Sequence, residues 1–141
     1  MVLGVGGREH DIVHAFSKSK IVTELHCCPG NPGIAELALC HNADVCAPLE
    51  ITALCKRLEI DFVFVGPEAP LVAGTADALR NIGIPVMGPG MSGARLEGSK
   101  AFSKQFMKRH NIPTSDFDCC TDMESCRKAI AKRKAPYVVK A

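Results

Sequence analysis

The stretch VLGVGGREHDIVH, Val2 to His14, carries residue types and a spacing that suit an anion site. Gly6 and Gly7 stand just ahead of a run with helical periodicity. Glycines there let backbone N–H groups turn toward a negative charge, which the helix dipole also favours. Arg8 adds a guanidinium, which forks onto phosphate oxygens through charge-assisted hydrogen bonds. Glu9 comes next; a carboxylate is badly placed for phosphate but accepts hydrogen bonds from sugar hydroxyls or an amine. The chemistry implied is recognition of a phosphate-bearing small molecule, and the alternative is a glycine-rich turn that only shapes the fold.

Two other chemistries fit some of the same letters. A dinucleotide fingerprint needs Gly-x-Gly-x-x-Gly, with an acidic residue closing the second strand. Gly4 and Gly6 supply its first half, but Glu9 holds the third glycine's position and Cys28-Pro29 the acid's. A zinc hydrolase is suggested by His10 and His14, four apart on a helix. The acid between them is Asp11, shorter than the glutamate such enzymes use, and no third ligand is placed nearby. Exposed or capping histidines on an amphipathic helix are the plainer reading.

A second candidate loop is GPEAPLVAG, in which Glu68 is the only ionisable side chain. Pro67 and Pro70 flank it and stiffen it, as a preorganised contact to a sugar or amine requires. A surface glutamate without a role is the alternative.

The elements that must position these residues follow from hydrophobic pattern. Aliphatic runs alternate with amphipathic stretches, the mark of an α/β fold with a parallel sheet. Strands are expected at Val2–Leu3, Glu24–Cys28, Ala43–Cys46, Phe62–Val65 and Ile84–Met87. Helices are expected over Glu9–Lys18, with Ile12, Ala15 and Phe16 facing inward, over Ile51–Leu58, and over Leu71–Asn81, with Leu71, Val72, Ala76 and Leu79 inward. After Gly88 a glycine-rich bridge holds one short helix, and Ser99 is an N-cap candidate for a helix with Phe102 and Phe106 at i, i+4. A strand over Asp116–Cys120, a helix over Asp122–Lys134 and a buried strand over Tyr137–Lys140 complete the pattern. In parallel sheets ligands collect beyond the carboxyl ends of the strands, so the loops of Arg8 and Glu68 are expected to face one another. The ending in mid-strand predicts a piece of a larger protein.

Composition excludes several classes. The chain has 141 residues, 47% hydrophobic and 23% charged, with a net charge of +2, which describes a globular domain able to bury a real core. Lys128, Lys132, Arg133 and Lys134 cluster on one predicted helix without interleaved aromatics, which predicts a solvated face rather than a nucleic-acid patch. No apolar run approaches the ~20 residues of a membrane span, and no signal peptide opens the chain, so a cytoplasmic protein without a membrane partner is expected. The eight cysteines include no C-x-x-C, and both Cys-Cys pairs lie in strand-like runs where neighbours point to opposite faces. They are expected to be buried, reduced and apolar in role, and no metal ligand set is assigned among them.

The motifs GVGGREH, CPGNPG, VGPEAPLVAG, LEGSKAFSKQFMKRHNIPT and APYVVKA resemble, in order and spacing along essentially all 141 residues, those of the phosphoribosylamine-glycine ligase (glycinamide ribonucleotide synthetase) family. The resemblance implies a Rossmann-like pre-ATP-grasp domain over residues 1–90, a linker over 91–98 and the beginning of an ATP-grasp domain over 99–141. It implies small-molecule substrates: ATP phosphorylates glycine, and the amine of 5-phosphoribosylamine attacks the resulting acyl phosphate to form the amide of de novo purine synthesis. Gly6, Gly7 and Arg8 match the loop expected near the ribosyl phosphate, with Glu9 beside it, and Glu68 matches the residue expected at the sugar or amine. Lys100 and Lys140 resemble the two lysines that hold ATP phosphates; on a buried strand Lys140 would be costly without an anion, whereas Lys100 also fits a surface lysine at a helix start. Asp11 departs from the small apolar residue usual there, which bears on packing of the first helix. The family's glycine-rich flap, adenine pocket and acidic magnesium ligands are expected beyond residue 141. The chain alone is therefore expected to bind the phosphosugar weakly and not to catalyse; a stand-alone phosphosugar-binding module is the alternative.

Overall fold

The structure, a computed structural model, describes residues 1–140. In chain order the elements are β1 (Val2–Gly4), α1 (Gly7–Ser17), β2 (His26–Pro29), α2 (Pro32–Ala35), β3 (Leu39–Cys40), α3 (Pro48–Arg57), β4 (Val63–Val65), α4 (Glu68–Val72), α5 (Thr75–Asn81), β5 (Val86–Met87), α6 (Met91–Gly98), α7 (Lys100–Arg109) and α8 (Met123–Ala131). The chain forms two compact units, Met1–Ser99 and a second from Lys100 onward. Among the described residues no helix is long and apolar enough to cross a membrane.

In the first unit five strands form one parallel sheet, in the order β3-β2-β1-β4-β5. The period-2 alternation of a strand sends neighbouring side chains to opposite faces. Leu3, Cys28, Val63 and Val65 therefore pack with Ile51, Leu54, Cys55, Leu71 and Leu79 on one side. Val2 and Cys27 pack with Val13 and Ile34 on the other. On that second side Phe16 stands edge-on to Phe62 and Phe64, with centroids 6.4 and 6.2 Å away.

Several expectations are corrected. The third strand is Leu39–Cys40, not Ala43–Cys46: Leu39 and His41 donate their backbone N–H groups to Leu25 and Cys27 across the edge of β2. The Asp44 side chain accepts from the Cys46 N–H, and this local turn holds 44–46 out of the ladder. The helix expected over Leu71–Asn81 is two helices, broken at Gly74, whose φ of +89° is left-handed, and Val72 lies exposed. On α1 the fully buried apolar residue is Val13, flanked by partly buried Ile12 and Phe16, while Ala15 faces solvent. Asp11 is exposed too, so its charge costs the packing nothing. Ser99 ends α6 and directly precedes α7.

In the second unit Phe102 and Phe106 lie 6.3 Å apart, as their spacing predicts. Asp116–Cys120 and Tyr137–Lys140 are not strands, and Val138 and Val139 are 81% and 73% exposed. A strand needs a neighbour for its backbone groups and a face to bury. Among its described residues this unit supplies two helices and no strand. In the basic cluster Lys128 lies 2.6 Å from Glu124 and Arg133 2.6 Å from Asp118, and Lys132 and Lys134 are exposed.

The eight thiols are free, but only Cys27, Cys28 and Cys55 are buried; Cys40, Cys46, Cys119 and Cys120 are exposed, contrary to expectation. Burial pushes the Cys27 thiol up to about 12 and that of Cys55 up to about 11, from an ordinary 9.0. Above pH 9 the unfolded chain releases these protons while the fold retains them, so stability falls as pH rises from 9 toward 11 to 12. Urea unfolding under reducing conditions is expected to show a lower midpoint at pH 10.5 than at pH 8, with a shallower pH dependence in Cys27→Ala; parallel pH profiles would contradict the assignment.

Candidate functional site

The chain runs from β1 to β2 and β3 on one side, then crosses to β4 and β5 on the other. The direction of winding thus reverses between β1 and β4, where open parallel sheets leave a crevice beyond their carboxyl ends. The two loops that emerge there are Val5–Gly6, leading into α1, and Gly66–Pro67, leading into α4. They are the loops of Arg8 and Glu68, neighbours as expected.

Glu9 joins them. It is 4% exposed, and its carboxylate accepts from the Gly6 N–H at 2.7 Å and from Arg8 Nε at 3.1 Å. Its side chain fills space that glycines leave open: a β-carbon on Gly4 or Gly66 would lie 2.5 Å from Glu9 Cγ, and one on Gly6 2.8 Å from Oε2. The Gly6 amide is thereby committed to Glu9, the residue that stands where a dinucleotide fingerprint has its third glycine. The first N–H groups of a helix lack partners within it, so those of Gly7 and Arg8 open α1 outward. Nothing lies within 4 Å of a β-carbon placed on Gly7, and the Arg8 side chain is 63% exposed.

A third strand end supports the same rim. Asn31 caps α2 by accepting from the Ile34 N–H at 2.9 Å, and its Nδ2 donates to the Val5 carbonyl at 2.7 Å. Gly30 N–H donates to the Gly4 carbonyl at 3.1 Å. Sequence reasoning missed Asn31, although Asn followed by Pro is a helix-start signal. The His10 ring lies against Gly33, and His14 is exposed. Among the described residues no group of three or more His, Cys, Asp or Glu side chains could hold a metal ion.

Glu68 is exposed and opens α4 rather than lying in the loop expected for it. Lys100 is the first residue of α7, and Lys140 lies exposed outside any strand; both belong to the second unit. Among the described residues a concavity of about 290 Å³ lies at the amino end of the sheet, with Phe16 and Phe62 in its lining, and one of about 430 Å³ lies in the second unit beside Arg133.

Residues 1–97 match the model of the phosphoribosylglycinamide synthetase N domain, and residues 98–141 that of the ATP-grasp (A) domain of the same synthetase. The chain belongs to the phosphoribosylglycinamide synthetase family. A phosphoribosylamine–glycine ligase of Streptomyces coelicolor is 51% identical over 99% of this chain and 34% of its own length. One of Mesorhizobium japonicum is 44% identical over the whole chain and 33% of its own length. The crystal structure of phosphoribosylamine–glycine ligase from Thermotoga maritima superposes with a TM-score of 0.66 at 30% identity, over 94% of this chain and 30% of that one. The chain thus spans about a third of the length of the family members it matches.

Proposed function

We propose that this chain supplies the phosphosugar end of an ATP-dependent ligase that joins glycine to 5-phosphoribosylamine in purine synthesis in the cytoplasm. The observation that supports it is the exposed Arg8 at the open start of α1, beside the loop of Glu68, in a chain of this family. Gly6, Gly7, Arg8 and Glu68 form the substrate rim in this reading, with Glu9 behind them holding Gly6 and Arg8. The Gly7 and Arg8 amides and the Arg8 guanidinium meet the phosphate, and the Glu68 carboxylate holds the ribose or its amine.

In the whole protein the glycine carboxylate attacks the terminal phosphorus of ATP, releasing ADP. The sugar amine then attacks the carbonyl carbon of glycyl phosphate and displaces phosphate, leaving an amide. Lys100 and Lys140 are proposed to meet ATP phosphates, and magnesium would neutralise part of the nucleotide's charge. Residues 1–90 form the substrate domain in this scheme, 91–98 the linker and 99–141 the opening of the ATP-grasp domain. This chain's residues are assigned binding and orientation; the ligation itself is assigned to the whole protein.

Calorimetric titration with ribose 5-phosphate tests the assignment. Arg8→Ala is expected to weaken binding roughly tenfold or more, the worth of a charge-assisted hydrogen bond. An unchanged dissociation constant in Arg8→Ala would remove the phosphate from this loop.

A further inference from the structure

We infer that Glu9 is a positioning residue, which turns the two Nη groups of Arg8 outward as a fork for the phosphate. The inference rests on the phosphosugar reading above and adds how the site is held. A guanidinium has three edges, and the Nε–H of Arg8 is spent on Glu9 Oε1 at 3.1 Å. Among the described residues Arg8 meets no other acceptor, and its side chain stays 63% exposed while that of Glu9 is 5% exposed. One nitrogen is therefore anchored to a buried carboxylate, and the two remaining nitrogens form the bidentate edge that matches phosphate oxygens.

The anchor itself cannot swing. Oε2 accepts from the Gly6 N–H at 2.7 Å, and the side chain is packed where β-carbons on Gly4, Gly6 and Gly66 would collide with it. Glu9 thus ties three things together: the backbone before α1, the end of β4 and the direction of the arginine. Holding a long side chain in its binding rotamer before the ligand arrives lowers the entropic cost of binding. The buried carboxylate touches no ligand in this arrangement and acts through Arg8.

Ribose 5-phosphate titrations of the unmutated chain, Arg8→Ala, Glu9→Gln and the double variant form a cycle that isolates this coupling. Glu9→Gln keeps the shape but replaces one acceptor oxygen with a donor, and it is expected to weaken binding roughly fivefold or more. In the Arg8→Ala background the same change is expected to do nothing further, within about twofold. An equal loss in both backgrounds would mean that Glu9 acts without Arg8, and an unaffected Glu9→Gln would mean that it orients nothing. Either result overturns the inference while leaving the phosphate assignment standing. Failure of the unmutated chain to bind at millimolar ligand overturns both.

A measurement without substitution guards against an unfolded variant. The Arg8 Nε–H signal in a nitrogen-proton spectrum is expected to exchange slowly with water and to persist when ribose 5-phosphate is added. Its loss on addition would show that the ligand pulls Arg8 off Glu9, contrary to the inference.

Discussion

Gly66→Ala is expected to destabilise the first unit by about 2–3 kcal/mol, the upper part of the usual range for overpacking. The added methyl would lie 2.5 Å from Glu9 Cγ and closer still to its Oε1. A long side chain at the surface would step aside, but this one is 4% exposed and bound to Gly6 and Arg8. Relief therefore requires breaking buried hydrogen bonds or shifting the end of β4. Gly7→Ala is the control: it has open space around its β-carbon, lies in the first turn of α1, and is expected to be neutral or slightly stabilising. Chemical denaturation of the two variants checks the contrast. Equal stabilities would mean that Glu9 does not occupy the space between the two strand ends.

Leu3→Ala is expected to cost about 3 kcal/mol or more, the range for a leucine deleted from a packed core. Leu3 lies on the central strand β1, fully buried, between neighbours on β2 and β4. Its side chain meets the face formed with Ile51, Leu54, Leu71 and Leu79, which strands on both sides hold in place, so little relaxation can close the cavity. Urea unfolding should show the midpoint fall. A loss below about 1 kcal/mol would mean that the core collapses around the gap.

The parallel sheet was legible because its signal is local: short aliphatic runs such as Phe62 to Val65 alternate with amphipathic stretches; β4 and β5 lie within their expected runs, and β1 and β2 overlap theirs and extend one residue beyond, to Gly4 and Pro29. The third strand was not, because Leu39 and Cys40 pair at an edge and are exposed, leaving no buried face to imprint a pattern. The break at Gly74 was masked by apolar residues that continue at helical spacing across it. Arg8 and Glu68 carry their chemistry in their side-chain types, and the reversal of winding at β1 brings their loops together. The surroundings of Glu9 were harder to see. Its partnership with Gly6 follows a helix-start pattern, glutamate three residues after the cap, but its burial depends on Gly4 and Gly66, and Gly66 is remote in sequence. The expected strand at Tyr137–Lys140 fails for a different reason: apolar character sets a preference for burial, but pairing needs a partner strand that this unit does not supply among its described residues.

The most direct test of the account follows backbone amide signals while ribose 5-phosphate is added to the chain. Binding at the β1 and β4 strand ends predicts the largest shifts at Gly6, Gly7, Arg8 and Glu68, with the Gly6 amide still protected by Glu9. Shifts confined to the basic face around Lys132 and Lys134, or to the concavity beside Arg133, would contradict it.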